Sequence, residues 1–403
     1  MHFVVRQPIV DLHSRVHAFK LLFRERPLTG EAESDGRQSL RSMAGFGLEK
    51  PSELKRLTGA LAAYVECTEE MLSAQMAHAL PANLAILEIP PALEPSAETI
   101  ATCWELKTLG FRLAMSEFQW EPCREPLVEM ADYMAIDFGG TDSETRRDLC
   151  ARMQGKRTAM LADKVQTQAE YSQAREEGFS LFAGSYYYQP VAGKERRPPA
   201  NQLLRIEILK GLQQRPMDLR KMSQLVMRDG PLAFQLLRFV NSPICALRQE
   251  VKSIETALLT LGEDVFRRIA TLAIASQFNG NQPAEILCMA IIRGRFCEVA
   301  GLSRELDPFN QYLLGLLSLL PAMQGLPMCE IAPTLPLGIE IRAALMGTKN
   351  PARSDLGWLE SYEHGDWDAC DAAALADGLN QEKLAMEYVE AVEWAEAALH
   401  STT

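Results

Sequence analysis

The stretch RVHAFKLLFRER, Arg15–Arg26, decides how the first half of this chain is read. Val16 and Ala18 alternate with His17 and Phe19, the period of a β-strand. The run then delivers Lys20, Arg24 and Arg26. The whole chain is acidic, with 41 Lys and Arg against 53 Asp and Glu over 403 residues. A knot of cations at the end of an early strand therefore calls for an explanation.

Working outward, seven further β-rich runs share residues 1 to about 190: FVVRQPIVDL, LAAYVEC, LAILEI, FRLAMSEF, YMAIDF, TAMLAD and SLFAGSYY. Helical stretches separate several of them. In ETIATCWELKTLG, Ile100, Cys103, Leu106 and Leu109 recur at helical spacing and Gly110 marks the stop. EYSQAREEG ends likewise at Gly178. Strands alternating with helices predict a (β/α)-barrel; an open doubly wound sheet fits the same periodicity. The polar segment from Pro27 to Gly47 is expected to be a long, partly mobile loop.

After the Pro-rich, charged stretch QPVAGKERRPPAN, Gln189–Asn201, the strand pattern stops. The expected domains are 1–192, a linker at 193–201, and an all-α domain at 202–403. Asp218 is placed to cap a helix, Gly230 to end it and Pro231 to open the next, which Pro243 closes. Gly262 is expected to end a further helix and Asp264 to cap its successor.

Composition narrows the function classes. A formal charge of −12 argues against nucleic-acid binding and against an anionic membrane surface. The longest apolar run, LLGLLSLL from Leu313 to Leu320, is too short to span a bilayer, and the start of the chain has no signal-like apolar segment. Nine scattered cysteines without a CxxC predict a reduced, cytoplasmic chain.

In a parallel barrel the chemistry sits where strands end. Lys20, Arg24, Glu66, Glu88, Ser116, Glu117, Asp137 and Asp163 stand there, with Ala183 and Gly184 on the last run. A ring of carboxylates suits a divalent ion holding a phosphate ester, and Arg24 suits a phosphate itself. Each carboxylate taken alone is more simply a solvated loop residue.

Together, QPIVD (Gln7–Asp11), KLLFR (Lys20–Arg24), LGFRLAMSEF, YMAIDF, MLADKVQT and GFSLFAGSYYYQP resemble the EAL domain of cyclic di-GMP phosphodiesterases over roughly residues 1–192. The resemblance implies a β/α-barrel, with metal-dependent hydrolysis by strand-end carboxylates in its active members. It also implies changed positions here. The family's metal-binding Glu is Lys20, its metal Asn is Glu66, its Asp-Asp pair is Ser116-Glu117, its catalytic Lys is Ala135 and its seventh-strand Glu is Asp163; Glu88 is retained. Gln7, Pro8 and Arg24 are the candidate ligand-binding residues. A Lys ammonium at a metal position repels a divalent ion, so Lys20 is expected to pair with Glu66 or Glu88.

In the second half, LLRFVNSPI and KSIETALLTLGEDVFRRIATLAI resemble the HDOD domain, a helical relative of metal-dependent HD phosphohydrolases. No His lies between His78 and His364, and the family's His-Asp position falls at Ser318-Leu319. A His-based metal site cannot form from these helices. Asn241-Ser242-Pro243 is read either as a recognised loop or, more simply, as a helix stop.

These readings converge on α/β plus all-α: an EAL-like (β/α) barrel followed by a helical HDOD domain. The expectation is a non-catalytic signalling protein without cofactor. It would act through other signalling proteins that meet the HDOD domain, with cyclic di-GMP as a candidate ligand and a homo-oligomer as a candidate state. The alternative is a residual, Mg²⁺- or Mn²⁺-dependent cyclic di-GMP phosphodiesterase using Glu66, Glu88, Glu117 and Asp163.

Overall fold

The computed structural model describes residues 2–25, 47–73, 76–188, 201–280 and 282–399. Arg26, the expected loop at 27–47 and the expected linker at 193–201 lie, but for Gly47 and Asn201, outside the described residues. The chain divides into two compact units. One holds Met1–Tyr187 with Tyr362–Trp367, the other Tyr188–Ser361 with Asp368–Thr403.

The first unit contains a closed barrel in the order β1 to β8, which sets aside the open-sheet alternative. The strands are β1 (His2–Asp11), β2 (Val16–Glu25), β3 (Ala62–Glu66), β4 (Ala85–Ile89), β5 (Arg112–Met115), β6 (Tyr133–Asp137), β7 (Ala159–Asp163) and β8 (Leu181–Ala183). From β2 onward neighbours are parallel, but β1 is antiparallel to both β2 and β8. That corrects the all-parallel reading. Only Leu12–Arg15 separates β1 from β2, enough for a hairpin and far too little for a parallel crossover. Asp11 fastens that turn: its Oδ1 accepts from the backbone N–H of His13 and Arg15, and its Oδ2 from Arg15 Nε.

The helices between the strands start where capping chemistry dictates. Ser96 accepts from Thr99 N at the head of Ala97–Thr108, and Thr167 forms a reciprocal capping box with Glu170 at the head of Gln168–Glu177. The lumen is filled by Ile9, Ala18, Tyr64, Ile86, Ala114, Tyr133, Ala135, Leu161 and Ala183, all buried. Because side chains alternate along a strand, this set fixes which further strand residues share the inner face: Gln7, Lys20, Arg24, Glu66, Glu88, Asp137 and Asp163.

Every described element from Gln202 to Leu399 is helical. Asp218 caps Leu219–Met227 as expected, and Pro231 lies in the first turn of Gly230–Val240. Gly230 itself begins that helix instead of ending the one before, because Asp229 Oδ1 accepts from Leu232 N and makes Asp229 the cap. The segment Ile254–Asn279 is interrupted at Gly262 (φ 73°, ψ 169°), a backbone conformation that breaks the helical ladder. Buried Arg205–Asp229 and stacked Phe296–Trp358 are held in the core of this unit.

Candidate functional site

The mouth of the barrel gathers the strand ends, and its inner wall carries one dominant arrangement. Lys20 Nζ, rising from β2, lies 2.9 Å from Glu88 Oε1 on β4 and 2.9 Å from Asp163 Oδ2 on β7. The three side chains keep only 18%, 4% and 10% of their surface in contact with solvent. Burial opposes the ammonium charge, yet the two carboxylates outweigh it and hold the Lys20 pKa above the ordinary lysine value. Lys20 is therefore a fixed cation. Its partners are Glu88 and Asp163; Glu66, the other expected partner, ends β3 at an exposed position.

A second ion pair stands nearer the rim. Lys164 Nζ lies 2.5 Å from Glu117 Oε1 and 2.9 Å from Asp137 Oδ2. Glu117 and Lys164 both have positive φ, 43° and 57°, a conformation that side-chain-bearing residues seldom adopt. Desolvation works against the Asp137 charge, but Lys164 and the Gly140 N–H prevail and hold its carboxyl below the usual range. Lys164 was given no role in the sequence reading, although it follows Asp163 directly in MLADKVQT. Its reach to two other strand ends is a property of barrel closure, invisible in the linear order.

The remaining expected residues divide. Ser116 is buried with its hydroxyl donating to Ile89 O, so it closes the β4–β5 junction. Ala135 is buried in the lumen packing. Gln7 and Arg24 share the inner face with Lys20: Gln7 is the cross-strand neighbour of Lys20, and Arg24 lies four residues on. Pro8 does not join them. It is buried on the outward face of β1 opposite Phe19, because adjacent strand residues point to opposite sides.

The resemblance implies a divalent ion in this mouth. The position between Glu88 and Asp163 is filled by the Lys20 ammonium. Among the described residues no group of three or more His, Cys, Asp or Glu side chains is arranged to hold a metal. As the side chains stand, they do not fit a divalent centre.

In the helical unit, Asn241 proves structural. Its side-chain amide donates to Leu237 O and Val251 O and its Oδ1 accepts from Val251 N, which clamps the loop after the helix. All nine cysteines are free thiols. Among the described residues no helix is long and apolar enough to cross a membrane.

Residues 199–312 match the HDOD domain model. The chain is 29% identical over 406 residues to the uncharacterised protein YuxH of Bacillus subtilis, covering 97% of each. It is 26% identical over 402 residues to CdgJ of Vibrio cholerae, named a cyclic di-GMP phosphodiesterase, covering 98% of this chain and 92% of that one. Among solved structures, the FimX EAL domain from Pseudomonas aeruginosa bound to cyclic di-GMP aligns at 16% identity, with a TM-score of 0.37, over 46% of this chain and 89% of that one. The chain thus combines a closed eight-stranded barrel with a helical unit whose residues 199–312 match the HDOD domain model. The expectation of a non-catalytic protein is corrected: a relative aligned along nearly the whole chain carries the name of an enzyme. That expectation leaned on substitutions at single positions, and full-length likeness to an enzyme weighs against it.

Proposed function

We propose that this chain is a cyclic di-GMP phosphodiesterase-type signalling protein whose substrate enters the barrel mouth. The observation that carries the reading is the mouth itself: a fixed ammonium, Lys20, flanked by two buried carboxylates, with Arg24 and Gln7 on the same inner face. The full-length likeness to CdgJ supports it.

The residues have separable tasks. Arg24 offers a planar fork of donors to a phosphate of the ligand. Lys20 sets a preorganised positive charge where negative charge grows during attack on phosphorus, in a site screened little by water. Glu88 and Asp163 keep that charge in place and are the carboxylates beside it able to take a proton from an attacking water. The Lys164 pair holds the ends of β5, β6 and β7 together around the rim.

We assign the helical unit to recognition of other signalling proteins, because its core helices carry no His from which an HD-type metal site could be built. A cytoplasmic, reduced setting suits nine free thiols.

The test is direct. Purified full-length protein is incubated with cyclic di-GMP, with and without Mn²⁺, and the linear dinucleotide is followed by chromatography. Formation of product that stops in Glu88→Ala supports the reading. Absence of product in both conditions overturns it.

A further inference from the structure

The donors that the proposed site would turn toward cyclic di-GMP are already engaged. Gln7 Nε2 donates to Glu363 O at 3.0 Å, and Arg24 Nη1 donates to Trp367 O at 3.0 Å. The Arg24 guanidinium also lies over the Trp367 ring, 5.9 Å from its centroid. Both acceptors belong to Tyr362–Trp367, the short stretch that packs with the barrel as part of the first unit.

The stretch is shaped for that position. The helix Ser354–His364 stops at Gly365, whose φ of 70° reverses the chain, and a new helix starts at Trp367. Carbonyls in the last turn of a helix have no intrahelical partner and carry the negative end of its dipole. The reversal turns Glu363 O, from that last turn, toward the Gln7 amide. Tyr362 anchors the stretch. Its hydroxyl accepts from Val4 N at 3.1 Å and donates to Val4 O at 2.9 Å, on a part of β1 that β8 does not reach. Phe3 packs against both Tyr362 and Trp367, with ring centroids 6.4 Å and 6.5 Å away. Arg24 and Gln7 thus meet carbonyl oxygens beside an aromatic ring, the same pairing of acceptor oxygen and flat ring that a nucleotide offers.

We propose that Tyr362–Trp367 is a built-in pseudo-ligand: it holds Gln7 and Arg24 in a closed state, and cyclic di-GMP binds only as this strap leaves. The inference rests on the assignment of the barrel mouth to cyclic di-GMP. It adds a regulatory device, because whatever displaces the strap opens the site.

Calorimetric titration with cyclic di-GMP compares full-length wild type, Trp367→Ala and Gly365→Ala. The first variant removes the ring over Arg24. The second forces a side chain into a left-handed backbone position, where its Cβ would come 2.8 Å from Leu22 Cδ1. Both are expected to tighten apparent binding about tenfold, the gain from opening a site closed some ten to one. Hydrogen exchange in the wild type supplies a second readout that does not depend on the variants folding: saturating ligand should speed exchange of the Val4 amide as Tyr362 departs. Unchanged affinity together with an unchanged Val4 amide overturns the strap and leaves the cyclic di-GMP reading standing. No binding by any of the three proteins overturns that reading and the strap with it.

Discussion

Lys20 is the residue on which the barrel mouth turns. Its ammonium joins two carboxylates that would otherwise face each other in a poorly solvated lumen. Removing one member of a buried ionic cluster strands the others, so Lys20→Ala is expected to cost about 3–5 kcal/mol in urea unfolding; a loss under about 1 kcal/mol would refute the clamp. The sign of its pH dependence follows from a folded pKa raised above the usual lysine value. The contribution is complete below the ordinary lysine value of 10.5 and is lost as pH rises from there through the raised value. Lys20→Glu should bring three carboxylates together at the cation's place, and Mn²⁺ titration should register tighter binding than in the wild type. Equal Mn²⁺ affinity in the two proteins would mean that the ammonium does not stand in a cation's place. Glu387, in the helical unit, titrates in a different range. Burial, aided by Asp355 and Glu390 and opposed by Lys383, pushes its carboxyl up to about 7. The native state then holds a proton that the unfolded chain has released, and stability falls as pH rises between about 4.5 and 7. Glu387→Gln should therefore melt higher than wild type at pH 8, with the gap closing at pH 5. A gap independent of pH would contradict the assignment.

At the scale of elements, local chemistry explains most starts and stops. The capping positions of Ser96, Thr167 and Asp218 could be read from sequence because a side-chain oxygen before a helix has one favourable use there. The antiparallel β1 was equally legible and was missed: a run ending at Asp11 and another starting at Val16 leave no room for a crossover. Gly230 was misassigned because Asp229 competes with it for the same boundary, and a buried aspartate accepting from Leu232 N wins. At Asn241 the simpler of the two readings, a helix stop, fits the structure: the residue caps Gly230–Val240 and clamps the loop that follows. Its three hydrogen bonds to Leu237 and Val251 predict that Asn241→Ala loses about 1–3 kcal/mol in thermal or urea unfolding. No measurable loss would return the loop to the candidates for partner recognition.

At the scale of the whole molecule, the two-part architecture was legible because strand and helix periods differ and change once along the chain. The inner-face placement of Lys20, Glu88 and Asp163 was legible too, since side chains alternate along each strand. Their partnerships were not. Which of Glu66, Glu88 and Asp163 meets Lys20 depends on the stagger of the closed barrel, and the approach of Tyr362–Trp367 to Gln7 and Arg24 joins residues more than three hundred positions apart. Substitutions at single site positions read as a non-catalytic protein, and a relative 26% identical along nearly the whole chain and named a cyclic di-GMP phosphodiesterase weighs against that reading. The central claim is that the mouth organised by Lys20, Glu88 and Asp163 processes cyclic di-GMP. Its most direct test is the rate at which the purified full chain converts cyclic di-GMP to the linear dinucleotide, measured beside Glu88→Ala. The account predicts turnover by the wild type and its loss in the variant; no turnover, or an equal rate in both proteins, would contradict it.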